Sequence, residues 1–380
     1  MKLSTNRILT THVGSLPRSK KVAELLLQRE FEDNYDEALF NETINNAIIE
    51  VVQQQADVGI DIVSDGELSK IGYATYIKDR LSGFSGDSPR KPALDLKDYP
   101  EYCEQMALSA GKQTFKRTCC TGHVEQTTTA PLEFDLKNFK QAVDNANVTE
   151  AFMNSASPGL VTAFQPNDFY PSHEAYLEAI AKAMQAEYES IVDAGFLLQV
   201  DCPDLAMARH TGFQDLSESE FLKQAQQQVE ALNFALQNIP AEKIRMHVCW
   251  GNYEGPHTHD IALTKIMNII LSAKPSAVLF EASNPRHAHE WAIWKEASIP
   301  ENKILVPGVI DSTSNYVEHP ELVSQRICQF ADIVGKERVL AGTDCGFATF
   351  AGVGKVDEKI VWEKLKTLAA GAALASTKLY

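Results

Sequence analysis

The feature that most constrains the fold of this 380-residue chain is the alternation of short apolar segments with longer segments of helical periodicity. Eight apolar segments have the length of a strand, and they lie at 8–13, 60–63, 160–164, 196–201, 246–250, 277–281, 303–310 and 339–343. Between most of them, apolar residues recur at the spacing of an amphipathic helix, and one strand-plus-helix unit takes about 30 to 35 residues. The pattern predicts an α/β chain folded as a (β/α)8 TIM barrel.

One long segment, 68–147, does not follow the alternation, because glycines and prolines interrupt it repeatedly. Long irregular segments in compact domains are usually functional or form a subdomain. We therefore predict a single catalytic barrel domain over 1–380, with an inserted arm or lid at 68–147 above the barrel mouth. A dinucleotide-binding sheet is disfavoured, since the only glycine-rich candidate turn, 351–354, comes too late in the chain.

Composition excludes several classes of partner. The net charge of −16, from 51 acidic and 35 basic residues, repels nucleic-acid backbones and anionic lipids, so neither nucleic acid nor membrane is expected as a partner. No apolar run reaches the ~18 residues of a spanning helix or resembles a signal peptide, which predicts a soluble, cytoplasmic protein. The seven cysteines, odd in number and irregular in spacing, favour metal binding or inert thiols over disulfides. The sequence is compatible with a homo-oligomer but does not fix the oligomeric state.

Nearly every predicted strand ends in a polar residue, and in a parallel barrel these ends form the active-site face. His247 and Cys249 alternate along one strand and point to the same side. Glu281 follows Cys249 by 32 positions, and Cys345 follows Glu281 by 64, which correspond to one and two strand–helix units. An imidazole, two thiolates and a carboxylate thus converge at one place, and this set of ligands suits Zn²⁺.

Simpler roles remain open for single residues. His247 and Cys249 alone would suit a buried core pair, Glu67 an exposed turn, and Asp311 a helix cap. The zinc interpretation depends on all four ligands together, and the carboxylate disfavours a purely structural site. Solvent-exposed segments are expected to hold four further histidines, His257, His259, His287 and His289, of which the first two could instead supply rival ligands or a proton donor.

The strand ends also carry motifs that resemble the cobalamin-independent methionine synthase family, in which zinc bound by His, Cys, Glu and Cys activates homocysteine for methylation. These motifs lie at 11–18, 64–67, 199–203, 247–249, 281 and 343–346. The resemblance covers nearly the whole chain, and it is to the catalytic C-terminal barrel of the long enzymes. It implies a zinc-dependent methyltransferase that alkylates a small-molecule thiol, homocysteine, with a methyl donor of the 5-methyltetrahydrofolate type or another kind.

The resemblance also implies roles for individual residues. The zinc ligands would be His247, Cys249, Glu281 and Cys345. The amine of homocysteine would be bound by Glu67 and Asp201, and its carboxylate by Gly14 and Ser15. Glu281 is the ligand expected to loosen when the substrate sulfur arrives, because a catalytic zinc needs an exchangeable position.

Three positions depart from the family's pattern. The folate-binding tryptophan after the third strand is absent from 164–166, and a folate-contacting glutamate is replaced by Met207. The family's proton-donating histidine is replaced within Asp311–Ser312, which makes these two residues the catalytic candidates, with a loop histidine as the alternative. The departures leave the methyl donor and the proton donor open.

Two other functions are weighed against methyl transfer. The barrel also resembles the epoxyalkane:coenzyme M transferases, but a sulfonate thiol would require cations where Glu67 and Asp201 stand. The third alternative is a non-enzymatic zinc-binding barrel, whose metal coordination would not respond to a thiol.

Overall fold

The structure, a computed structural model, describes residues 1–32, 34–88, 90–110 and 115–380. The strands are β1 (Leu9–Thr10), β2 (Ile62–Val63), β3 (Phe84–Ser85), β4 (Cys119–Cys120), β5 (Glu150–Ala156), β6 (Leu197–Asp201), β7 (Ile244–Val248), β8 (Ala277–Phe280), β9 (Ile304–Ile310) and β10 (Leu340–Thr343). The helices are α1 (Lys20–Phe31), α2 (Glu37–Asp57), α3 (Leu94–Lys97), α4 (Pro100–Ala110), α5 (Ala130–Asp144), α6 (Pro158–Phe164), α7 (His173–Asp193), α8 (Glu218–Ala235), α9 (Leu263–Ser272), α10 (Trp291–Glu296), α11 (Pro320–Val334) and α12 (Glu358–Leu379).

Eight parallel strands form the central sheet, in the order β1-β10-β9-β8-β7-β6-β5-β2. A parallel bridge between Thr11 and Ile62 joins the two ends of this order, so the sheet closes on itself. The helices pack around it, and the predicted (β/α)8 TIM barrel is confirmed. Within the described ranges, no helix has both the length and the apolar character needed to cross a bilayer.

Alternation along β7 places polar side chains inside the barrel. Ile244, Met246 and Val248 belong to the apolar layer that includes the helices. Arg245 points inward, where its guanidinium lies 3.9 Å from the ring centre of Phe152 and donates to the carbonyl of His12 at 2.7 Å. His247, two residues further along, shares this side and reaches the barrel mouth.

The predicted third strand at 160–164 is wrong: these residues form helix α6, and the third strand of the barrel is β5, earlier in the chain. Ser157 caps α6 by accepting the amide of Leu160 at 3.0 Å, and Pro158 occupies the first turn. Most residues of α6 are buried, and a short buried helix has the same continuous apolar pattern as a buried strand. The strand itself contains Glu150 and Asn154, which interrupt its apolar pattern.

Ser157 provides a test of this local structure. Its Oγ also donates to Oδ1 of the buried Asp204 at 2.7 Å, so Ser157→Ala removes a helix cap and a buried hydrogen bond together. We expect the substitution to lower the free energy of unfolding by about 2 to 3 kcal/mol, measured by urea denaturation. Ser172→Ala, at the exposed cap of α7, is the matched control and should cost about 1 kcal/mol. Equal losses in the two variants would contradict the importance of the buried bond.

The segment 68–147 contains the antiparallel pair β3–β4, the helices α3 and α4, and α5. Helix α5 packs against α2 in the ring of helices, whereas α3 contacts the loop after β7. The latter contact is made by Asp95, whose carboxylate accepts the hydroxyl of Tyr253 and the amide of His257. The segment therefore includes one helix of the barrel as well as a projecting part, and its action as a lid stays a prediction.

Candidate active site

Three of the four predicted metal ligands meet at the barrel mouth. His247 lies on β7 one residue before its end, Cys249 directly follows the strand, and Cys345 comes two residues after the end of β10. One ligand atom from each lies within 4.8 Å of the other two, and all three residues are buried. Metal–ligand bonds of about 2.0 to 2.3 Å would allow one ion to bind all three atoms. The group can therefore hold a metal ion.

The state of His247 fits this role. Its Nδ1 atom is buried, and no hydrogen-bond partner for it is present in the described ranges. Burial and the nearby charge of Arg245 lower the pKa of His247 to about 3, so the imidazole is neutral. A neutral imidazole with an unpaired ring nitrogen is the form of histidine that binds metals. Burial also raises the pKa of the Cys345 thiol, which a bound cation would reverse.

Glu281, immediately after β8, lies beside the group of three ligands. Its Oε1 atom is 3.9 Å from Cys345 Sγ and accepts the amide of Trp250 at 2.7 Å. Its Oε2 atom accepts the side-chain amide of Asn284 at 2.6 Å. Burial and the neighbouring Asp344 raise the pKa of Glu281 to about 7, although the charge of His287 opposes the rise. The structure thus brings Glu281 to the site with both carboxylate oxygens already bonded to the protein.

Asp344 organises the loop that follows Glu281, and sequence reasoning missed it. Its carboxylate accepts the backbone amides of Ala282, Ser283 and Asn284 at 2.8, 3.0 and 2.9 Å. Since Asp344 directly precedes Cys345, these bonds fix the Glu281 loop relative to a metal ligand on another strand. The signal in the sequence was the position of an acidic residue next to a candidate ligand.

A cavity of about 350 Å³ opens above the ligand group. Its polar floor consists of Ser15, Glu67, Asp201, His247, Cys249 and Cys345. Its walls are largely apolar and include Tyr73, Phe164, Met207 and Phe350, together with Leu96 and Met106 from the 68–147 segment. Polar groups at the bottom of an apolar chamber of this volume are typical of a small-molecule site.

Glu67 is held on the floor by an unusual backbone conformation. Its φ of 57° lies in the left-handed region, which is costly for a residue with a side chain and often marks a functional position. Its buried Oε2 atom has no hydrogen-bond partner among residues that the structure describes. Burial raises the pKa of Glu67 to about 7, Lys70 opposes the rise, and Asp201 adds to it. A cationic amine would give this carboxylate the partner that it lacks.

Asp201, the second predicted amine-binding residue, is also on the floor. Its carboxylate accepts the side-chain amides of Asn154 at 3.0 Å and Gln199 at 2.8 Å, while burial raises its pKa to about 6. Lys70 Nζ donates to the carbonyl of Asn154 at 2.7 Å and so lies behind both carboxylates. Asn154 was missed because it belongs to β5, the strand that the sequence pattern concealed.

Ser15 lines the cavity, and Gly14 does not. The amide of Gly14 donates to His12 Nδ1 at 3.2 Å, and a Cβ atom at this position would lie 2.3 Å from Asn154 Oδ1. Ser15 is fixed against the loop after β10, since its carbonyl accepts the amide of Phe347 at 2.9 Å. A Cβ atom at Gly346 would lie 2.1 Å from Ser15 Oγ, so this close approach requires glycine.

The two predicted catalytic residues are not part of the cavity wall. Asp311 accepts the amide of Thr313 at 2.9 Å within its own turn, and Ser312 Oγ donates to Asn252 Oδ1 at 3.1 Å. Asp311 does not cap a helix, because α11 begins later, at Pro320. Their catalytic role stays a prediction that the geometry of the cavity does not support.

Two of the histidines predicted in solvent are buried instead. His257 Nδ1 lies 3.2 Å from Asp260, and His287 stacks on Trp250 with ring centres 4.3 Å apart. Hydrogen bonds to Asp260 and Glu290 raise the pKa of His287 to about 10, although its burial opposes this. The prediction was wrong because paired acidic residues make burial of these rings tolerable, and such pairing is invisible in a linear pattern. His259 is exposed, as predicted.

Comparisons with known proteins identify the family of the chain. The family model for the cobalamin-independent synthase catalytic domain matches residues 8–358. A methionine synthase of Saccharolobus solfataricus is 25% identical over 384 aligned residues, covering 97% of this chain and 95% of the relative. A methionine synthase of Sulfolobus acidocaldarius is 24% identical over 375, covering 97% and 93%.

Two solved structures share the fold. One is a B12-independent methionine synthase from Shewanella sp. W3-18-1 in complex with selenomethionine, with a TM-score of 0.70, 18% identity, and coverage of 98% of this chain and 99% of that one. The other is a putative vitamin-B12-independent methionine synthase from Listeria monocytogenes, with a TM-score of 0.65, 20% identity, and coverage of 97% and 98%. Since the family model spans nearly the whole chain, the protein belongs to the family of cobalamin-independent synthase catalytic domains.

Proposed function

We propose that the protein is a zinc-dependent methyltransferase that methylates the thiol of homocysteine to give methionine. The observation that carries the proposal is the single cavity whose floor combines the His247–Cys249–Cys345 group with the carboxylates of Glu67 and Asp201. The cavity thus places ligands for a thiol-binding metal beside carboxylates that can bind a substrate amine. The methionine synthase relatives, aligned over nearly their whole length, support the same activity.

Zinc is the metal that this donor set fits best, because two thiols and an imidazole match its preference for sulfur and nitrogen. When bound, zinc would coordinate the substrate thiol and lower its pKa, so that the sulfur is a thiolate near neutral pH. His247, Cys249 and Cys345 would hold the ion, and Glu281 would be the exchangeable fourth ligand. These four roles are part of the proposal.

The substrate would be oriented by residues on the opposite part of the floor. Glu67 Oε2 and the carboxylate of Asp201 would accept hydrogen bonds from the ammonium group, and Asn154 with Gln199 keeps Asp201 in place. Ser15 would contact the substrate carboxylate. Two fixed ends leave the thiol little freedom, which favours a single direction of attack on the methyl donor.

The walls would keep water away from the reacting sulfur. We infer that the projecting part of the 68–147 arm acts as a lid, since Leu96 and Met106 add apolar surface to the cavity. Met207 stands on the wall in place of an acidic family residue, and the methyl donor is therefore left open in this proposal.

The floor of the cavity argues against a sulfonate thiol such as coenzyme M. Glu67 and Asp201 on the floor would repel the sulfonate, and Arg90, a cation that lines the same cavity, is stacked on Phe164 in the wall. The ammonium group of an amino-acid thiol matches the negative charges of Glu67 and Asp201.

The proposal is tested by assaying zinc-loaded protein with homocysteine and a panel of donors: methyl-folates with one and three glutamates, a methylcorrinoid, a methylated amine and a sulfonium. We expect methionine from at least one of them. We also expect homocysteine to change the absorption spectrum of cobalt-substituted protein, because its sulfur enters the coordination sphere. No methionine from any donor, together with an unchanged cobalt spectrum, would refute the proposal.

The raised pKa of Glu67 predicts how substrate preference depends on pH. Below about pH 7 its carboxyl group is largely protonated and binds an ammonium group weakly, and above this pH it is charged and binds it strongly. The ratio of KM for 4-mercaptobutyrate, which lacks the amine, to KM for homocysteine should therefore rise as the pH increases from 6 to 8 and then level off. Using the ratio cancels the ionisation of the thiol. A ratio independent of pH would contradict the role of Glu67.

A further inference from the structure

Asn284 connects two carboxylates of the site, those of Glu281 and Asp344. Its Nδ2 atom donates to Glu281 Oε2 at 2.6 Å and lies 3.2 Å from Asp344 Oδ2. Together with the amide of Trp250 on Oε1, it gives each oxygen of the Glu281 carboxylate an N–H donor from the protein. Sequence reasoning assigned no role to Asn284.

We propose that Asn284 is a positioning residue that holds the Glu281 carboxylate beside the three-ligand group and thereby keeps this ligand exchangeable with the substrate sulfur. The inference deepens the proposed function and rests on it. Glu281 is one residue with two competing sets of partners: the ion on one side, and the N–H groups of Asn284 and Trp250 on the other. The more strongly these N–H groups bind the carboxylate, the more readily Glu281 leaves the ion.

The orientation of the Asn284 side chain is fixed by its neighbours. Its Oδ1 atom accepts the backbone amides of Arg286 at 3.0 Å and His287 at 3.2 Å, which leaves Nδ2 to face the carboxylates. Its own backbone amide donates to Asp344 at 2.9 Å. A side chain anchored at both ends presents its donor at a constant position, and little conformational entropy is lost when Glu281 binds to it.

The physical consequence concerns the donor strength of Glu281. A hydrogen bond from Asn284 stabilises negative charge on Oε2 and so reduces the advantage that the carboxylate gains from binding a cation. Loss of the bond should therefore shift Glu281 towards the metal. An ordinary supporting role would have the opposite result, because removing an orienting partner usually weakens metal binding.

The test is the rate at which zinc-loaded protein releases its metal to a chromogenic chelator, in the absence of any methyl donor. For Asn284→Ala we expect release about tenfold slower than in the wild type, the factor that corresponds to about 1.4 kcal/mol. The homocysteine concentration that half-saturates the cobalt spectral change should rise by a similar factor, because the sulfur now displaces a tighter ligand. In steady-state assays KM should rise more than kcat falls.

Two further variants make the result interpretable. Asn284→Ser retains an oxygen that can accept the amides of residues 286 and 287 but loses the donor to Glu281, so it should reproduce slow release with the loop turn preserved. Arg286→Lys changes an exposed side chain of the same loop, keeps its charge and keeps the backbone amide that donates to Asn284, so it should release zinc at the wild-type rate. Release that is unchanged or faster in both folded Asn284 variants, as judged by their melting temperatures, would overturn the proposal. Since release needs no catalysis, this outcome is distinct from a failure to form methionine.

Discussion

Replacing Cys345 with serine is expected to remove most of the bound metal and to reduce homocysteine methylation by on the order of a thousandfold or more, since the metal supplies several kcal/mol of the catalytic effect. The remaining His247 and Cys249 would share one ion with a poorer oxygen ligand. The Cys345 thiol is buried beside Cys249, and its Sγ atom lies 3.9 Å from Oε1 of Glu281. Metal content per chain by elemental analysis, and the methylation rate, are the two measurements.

The matched control is Cys328→Ser, which changes a free, partly buried cysteine on α11. It should keep the wild-type metal content and rate, because Cys328 lies outside the cavity lining. If Cys345→Ser retains the full metal content, Cys345 is not a metal ligand, and the proposed metal site is refuted.

The second large effect is expected for Glu67→Gln, which keeps the shape of the side chain and removes its charge. The KM for homocysteine should rise by about 10- to 100-fold, the range of a charge-assisted hydrogen bond of roughly 1.5 to 3 kcal/mol. The value of kcat should change less, because the metal group is untouched. The same substitution should abolish the pH dependence of the KM ratio predicted above.

Substrate analogues separate this effect from a general disturbance of the cavity. The KM for 4-mercaptobutyrate, which has no amine to bind, should be nearly the same in Glu67→Gln and in the wild type. Asp204→Asn is the control variant: it removes another buried carboxyl group close to Asp201, but one that bonds to Ser157 and does not line the cavity. Equal increases in KM for both thiols would show that Glu67 acts on folding of the loop instead of on the amine.

Much of the fold followed from simple periodicity. The strand containing His247 alternates cleanly because one side faces the barrel interior and the other faces the helices. The predicted segment, 246–250, overlaps β7, which begins and ends two residues earlier. The spacing of Cys249, Glu281 and Cys345 was informative for a related reason. Successive units of a barrel are similar in length, so strand ends that are regularly spaced in sequence come together in space.

The predictions that were wrong and the site residues that were missed share a physical cause. Helix α6 was predicted as a strand because the burial of most of its residues removes the polar face that reveals a helix. The predicted solvation of His257 and His287 was wrong because their partners, Asp260 and Glu290, become relevant only after folding. Asn154, Asn284 and Asp344 escaped notice because each acts on a neighbouring loop or strand through hydrogen bonds. Periodicity shows which side of a helix or strand is buried. It does not show which residue of another element faces that side, and these hydrogen bonds depend on that residue.

The pairing of β1 with β10, together with the close contact of Ser15 with Gly346, has a consequence for how the protein matures. On one side β1 is joined to β2, which is close to it in sequence, and on the other to β10, which is far from it. Ser15 follows β1 and Cys345 follows β10, so these two residues of the cavity floor come together only when this long-range pair forms. A chain whose barrel is still open therefore lacks a complete floor, and we expect both the ion and the amino acid to bind only after the barrel has closed.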